Sequence, residues 1–145
     1  MRRTMIFALA GLALAGPLPV AAAPAVQKEA TAADGQVQLF LATLKAGKGG
    51  QAVEELMAAS PLWAKHAGFS EQMTGQIDAA VKAYGPVISY ERVSTANVGT
   101  MATREYYLVQ HRDMVTRWEF DLVRTPSGWN VGFFGFTDQP NTWFS

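Results

Sequence analysis

An α+β fold follows from the order in which two periodicities occur along the chain. Apolar residues recur with helical spacing three times before Gly85, and from Val87 onward they alternate with polar ones. Glycine and proline punctuate the changes, at Gly47-Lys48-Gly49-Gly50, Pro61, Gly85-Pro86 and Thr125-Pro126-Ser127-Gly128. The expected architecture is three N-terminal helices packed on a curved antiparallel sheet of about four strands.

The 145 residues suit one domain, and about half are apolar, so a packed core is expected. Lys+Arg 12 balance Asp+Glu 12, which removes the electrostatic case for nucleic acid and for a polybasic membrane contact. Cysteine is absent. Disulfides, thiolate metal sites, a catalytic thiol and a lipidated cysteine are thereby excluded.

Residues 1–23 read as a secretory signal peptide. Arg2 and Arg3 form the positive head, and Met5 to Ala15 form an uncharged apolar stretch too short to span a bilayer. Val20-Ala21-Ala22-Ala23 offers small residues for cleavage, and cleavage after Ala22 keeps Pro24 away from the scissile bond. The mature chain then has a net charge of about −2, a periplasmic or secreted location, and no other segment able to span a membrane.

Residues 24–34 are small and polar and read as a flexible leader, so the domain proper is 35–145. Val37, Phe40, Leu41 and Leu44 then form a helical stripe, ended by the glycine tetrad. That tetrad holds a lysine but lacks the spacing and the hydroxyl residue of a phosphate loop. A second stripe, Val53, Leu56, Met57 and Ser60, stops at Pro61, which has no N–H to donate. Leu62, Trp63 and His66 fall in a short irregular element. Ser70 is placed to cap a third helix, with Glu71 near its positive end. Its stripe is Met73, Ile77, Val81 and Tyr84, up to the stop at Gly85-Pro86.

Val87 to Thr95 alternates as a first strand, with Ile88, Tyr90 and Arg92 on one face, and Ala96 to Thr100 turns. Arg104 to His111 is the second strand. A loop of two or three residues fits around Arg112-Asp113, and the two lengths turn different tyrosines, Tyr106 or Tyr107, toward the core. In the third strand Trp118, Phe120 and Leu122 share a face against Arg117, Glu119 and Asp121. Pro126 and Gly128 suit a type I turn closed by a bulge. With Thr125 opposite Trp129, Phe120 faces Phe134 and Trp118 faces Phe136, which gathers the aromatic rings and Leu122 on one face. The same register sends Trp129, Val131 and Phe133 to the other face. There they form an apolar patch that predicts a homodimer, because monomers rarely leave such surfaces open. Asp138 to Ser145 is a tail.

The run Ala83-Tyr84-Gly85-Pro86-Val87-Ile88-Ser89-Tyr90-Glu91 resembles the helix-to-strand junction of nuclear transport factor 2-like domains. So does the closing series Trp118-Glu119-Phe120, Gly128-Trp129-Asn130-Val131 and Phe134-Gly135-Phe136. The resemblance covers about Gln36 to Thr137 and is one of pattern and element order, without a diagnostic motif. It implies a cone with a pocket between helices and concave sheet, and pairing through the sheet face. Members range from isomerases and dehydratases to non-catalytic binders and scaffolds, so the fold does not choose a function.

Acid–base and metal constellations are thinly supplied. His66 lies at a helix–helix connection, and His111 lies in Gln110-His111-Arg112-Asp113, which reads as a solvated hairpin tip. The two histidines lack the spacing of a helical zinc site. No metal, cofactor or committed catalytic residue is therefore expected. Glu119 and Asp121 alternate outward, Asp78 lies off its helix stripe, and Asp138 shares the face of Phe134 and Phe136 near a pocket mouth. The pocket is expected to be lined by Phe40, Met57, Trp63, Tyr90, Tyr106, Trp118, Phe120, Phe134, Phe136 and Asp138. The leading expectation is an exported, non-catalytic domain that binds a small apolar ligand or a protein partner in that cone. One alternative is a cofactor-independent isomerase, dehydratase or hydrolase using Asp138, Tyr90 or Tyr106. The other is a structural or subunit-interaction protein whose core is filled by its own side chains.

Overall fold

The computed structural model describes residues 24–144, with side chains from residue 34 on. The signal peptide and its cleavage region lie outside the described residues. Helix α1 spans Pro24–Lys45, α2 Gly49–Ala58 and α3 Phe69–Tyr84, with a 3₁₀ turn at Pro61–Lys65 between α2 and α3. Strands β1 (Val87–Val98), β2 (Ala102–His111), β3 (Val115–Thr125) and β4 (Gly128–Thr137) form one antiparallel sheet in the order β1-β2-β3-β4. This is the α+β architecture of three helices and four strands expected from the periodicities. Among the described residues, no helix is long and apolar enough to cross a membrane.

Two helix starts differ from the sequence reading. The stretch expected as a flexible leader is helical from Pro24 onward. Proline suits the first turn, where its missing N–H is not needed, and the alanine, glutamine, lysine and glutamate that follow favour helix. Ser70 does not cap α3. The helix begins a residue earlier, at Phe69, behind Gly68 with φ of 83°, and no side chain caps it.

The core lies where α1 crosses the sheet. The Phe40 ring sits 5.2 Å from Trp118 and 5.6 Å from both Phe120 and Phe134, centroid to centroid. Trp118 in turn stacks on Phe136 at 4.7 Å. Phe40, Phe120 and Phe134 are sealed from solvent, and full burial of each such side chain contributes roughly 1.5–3 kcal/mol. The space between α1 and the sheet is thus filled by the protein's own side chains.

The hairpin register keeps the expected pairs as far as Asp121 with Phe133 and corrects those nearer the turn. Phe120 pairs with Phe134 and Trp118 with Phe136. Thr125, however, pairs with Gly128 across a two-residue loop, so Trp129 falls opposite Arg124 and Val131 opposite Leu122. The extra residue enters at Gly132, where the register shifts between Asp121 and Leu122. A Cβ on Gly132 would lie 2.9 Å from Val123 Cγ2, which explains why the bulge takes a glycine there. Moving the odd residue from Gly128 to Gly132 inverts the intervening side chains. Trp129 and Val131 accordingly belong to the buried core, and of the expected dimer patch only Phe133 is exposed, at 46 %. The outer face around it is charged. Arg104 holds Asp121 through two bonds of 2.7 and 2.8 Å and Glu119 at 2.9 Å, and Arg117 stacks 4.9 Å over Tyr106.

Strand β1 also departs from strict alternation, with register shifts between Val87 and Ser89 and between Arg92 and Ser94. Its shift at Ile88 leaves that side chain half exposed while Val87 and Tyr90 both pack toward the core. His111, expected at a solvated tip, is buried instead. Strand β2 continues through it, and the loop folds back onto the end of α3. The Arg112 N–H donates to the Pro86 carbonyl at 3.1 Å and that of Asp113 to the Tyr84 carbonyl at 2.9 Å.

Candidate functional site

Strand β4 ends the sheet, and α3 lies beside it without filling the space between. The resulting groove has two lobes that share Gln76, Phe136 and Thr137. The first, about 350 Å³, is walled by Phe69, Met73, Phe133 and Phe134, with Arg117 and Glu119 also lining it. The second, about 390 Å³, runs along Ala79, Ala80 and Ala83 of α3 to Tyr84 and Asp138. Each lobe is within the roughly 300–1,000 Å³ that hold small ligands. Side-chain size explains the room: Ala79, Ala80 and Ala83 bring only methyl groups to the second lobe, while Ile77 turns into the core.

Two anchors define the groove. The Trp63 indole donates to the Val131 carbonyl at 2.9 Å, tying the 3₁₀ turn to β4. At the other end the Tyr84 hydroxyl donates to Asp138 Oδ2 at 2.5 Å. That bond, with lesser contributions from burial and the negative charge, holds the Tyr84 hydroxyl above its ordinary pKa. Behind Tyr84 lies His111, ring centroids 6.1 Å apart. His111 Nδ1 lies 3.0 Å from the Gly85 carbonyl and Nε2 lies 3.3 Å from Thr116 Oγ1. The carbonyl can only accept, so Nδ1 carries the proton there. Thr116 Oγ1 accepts from Trp118 Nε1 at 3.1 Å, which leaves its own proton for His111 Nε2. Both ring nitrogens are committed to structure.

A second polar constellation sits between α1 and the inner face of β2. Glu105, only 4 % exposed, accepts from the Tyr107 hydroxyl at 3.0 Å and lies 3.5 Å from Arg92. Asp34 lies 3.3 Å from the same hydroxyl and 3.6 Å from Arg92, and Gln38 donates to the hydroxyl at 2.8 Å. Burial, then the charge of Asp34, raises the Glu105 pKa above its ordinary value, against the pull of Tyr107 and Arg92. Burial and the neighbouring Glu105 raise that of Tyr107 as well. The cluster ties α1 to β1 and β2. Among the described residues, no group of three or more His, Asp or Glu is placed to hold a metal ion.

The ten residues expected around a central pocket are dispersed. Phe134, Phe136 and Asp138 line the lateral groove. Phe40, Trp118 and Phe120 are interior core, Trp63 is buried beside β4, and Met57 and Tyr90 pack against the core from its margin. Tyr106 pairs with Glu119 on the outer face, because the β2 register turns Tyr107 inward. Asp138, one residue past the end of β4, stands at the groove end beside Tyr84. The sequence reading does not single out Glu105 or Tyr84 as polar site groups, leaves Tyr107 open against Tyr106, and places His111 at a solvated tip where the structure buries it. The available signal was the shared parity of Glu105, Tyr107, Val109 and His111, which becomes readable once one of them is known to face inward.

Comparison with family models, with curated proteins and with solved structures finds no match. The resemblance to nuclear transport factor 2-like domains accordingly rests on residue pattern and element order.

Proposed function

We propose that the protein is an exported, non-catalytic domain of nuclear transport factor 2-like type that binds a small apolar ligand in the lateral groove between α3 and β4. The observation that carries this reading is the contrast between two apolar regions. The interior is sealed around Phe40, Trp118 and Phe120, whereas aromatic and methyl walls stay open beside β4. The buried carboxylate Glu105 is spent on Tyr107 and Arg92, away from the groove, which favours binding over acid–base chemistry. Titration with the neutral fluorophore N-phenylnaphthylamine tests the reading. Wild type should bind it, and Phe133→Glu in one lobe or Ala83→Trp in the other should weaken binding. Undiminished binding by both variants would sink it. Native mass spectrometry of protein purified from its own host should then show a co-purified apolar mass.

Export has a separate test. N-terminal sequencing of the protein recovered outside the cytoplasm should begin within Ala22 to Val26, and an intact Met1 would refute the signal reading.

The sealed interior also favours a second reading, a subunit-interaction protein without a ligand. A groove that binds neither the fluorophore nor a host-derived molecule would select it.

A further inference from the structure

We infer that the ligand of this groove is an apolar chain carrying a terminal ammonium group, which Asp138 receives at the end of the alanine-lined lobe. This rests on the reading of the groove as a ligand site and adds the polarity of what enters it. Asp138 is a carboxylate, an acceptor without a donor of its own. Tyr84 donates to Oδ2, and among the described residues none donates to Oδ1, which can accept from a ligand.

Four of the described arginines and His111 are engaged elsewhere. Arg92 pairs with Asp34 and Glu105, Arg104 with Glu119 and Asp121, and Arg112 with Asp113. Arg117 lines the other lobe, over the Tyr106 ring. His111 is committed to Gly85 and Thr116. Among the described residues, this half-buried carboxylate beside Ala79, Ala83 and Phe136 takes part in none of the ion pairs. Low-polarity walls strengthen its field toward an incoming charge. A ligand that supplies both a positive charge and a donor N–H completes the site, while its chain covers the methyl groups and Phe136.

Calorimetry with three eight-carbon probes, octylammonium, octanol and octanoate, tests this at neutral pH. Wild type should bind octylammonium about tenfold more tightly than octanol, the scale of one charge-assisted hydrogen bond, and octanoate most weakly. Asp138→Asn keeps an oxygen for the Tyr84 hydroxyl and removes the charge. It should erase the preference for octylammonium and leave octanol affinity within about twofold. Ala83→Trp should weaken all three probes together. Equal binding of octylammonium and octanol by wild type, or a preference that survives Asp138→Asn, overturns the ammonium inference while the apolar site stands. Failure of all three probes to bind wild type, or indifference of all three to Ala83→Trp, overturns the groove reading itself.

Discussion

Tyr107 and Glu105 stand side by side on the buried face of β2, and the tyrosine hydroxyl donates to the carboxylate at 3.0 Å. A carboxylate placed there is tolerable because Arg92 and the hydroxyl both favour its charged form, while burial and Asp34 oppose it. The balance leaves the Glu105 pKa raised, so the native state holds its proton to higher pH than the unfolded chain. The stability this contributes is full below the ordinary value of 4.5 and is lost as pH rises through the folded pKa. Urea unfolding of wild type and Glu105→Gln across this range should show the variant gaining on wild type as pH increases. A difference independent of pH would contradict the assignment.

Tyr107→Phe removes the hydroxyl shared by Glu105, Asp34 and Gln38. It should cost about 1–3 kcal/mol, since the groups left behind are buried or half-buried. The same hydroxyl, with its pKa raised, gives wild type a stability that is full below pH 10 and lost above it as the folded group ionises. Phenylalanine should abolish that alkaline loss.

Trp118→Ala opens a cavity between Phe40 and Phe136 and should cost roughly 3–5 kcal/mol in urea unfolding. Arg117→Ala, the next residue, gives up only an outer-face stack on Tyr106 and should cost under about 1 kcal/mol. Equal losses would mean that the faces of β3 are wrongly assigned.

Gly132→Ala places a methyl group against the Val123 side chain at the β4 bulge. Overpacking of this kind costs typically about 1–3 kcal/mol. Val123→Ala in the same chain should restore part of it, so the two changes should be non-additive in a double-mutant cycle.

Thr116→Val breaks the chain from Trp118 Nε1 through Thr116 Oγ1 to His111 Nε2 at nearly constant volume. Two buried ring nitrogens lose their partner, and a loss of about 1–3 kcal/mol is expected. If His111 were the solvated residue that its neighbours in sequence suggest, the variant would be close to neutral by thermal unfolding.

The sequence by itself determined the order of the elements, the inward stripes of the three helices, and the pairing of Phe120 with Phe134 and Trp118 with Phe136. Those features follow from side-chain period and local stop signals, which act within a few residues of one another. Three others were decided only in the folded molecule. Whether the hairpin takes its odd residue at Gly128 or Gly132 depends on how Val123 packs across the strand, and that choice moved Trp129 and Val131 from an expected surface into the core. Which tyrosine of β2 points inward depends on pairing with both neighbouring strands, because a one-residue slip reverses a whole face. The burial of Glu105 and His111 depends on Asp34, Arg92 and Gly85, residues far along the chain that only the packed helices and sheet bring within bonding distance.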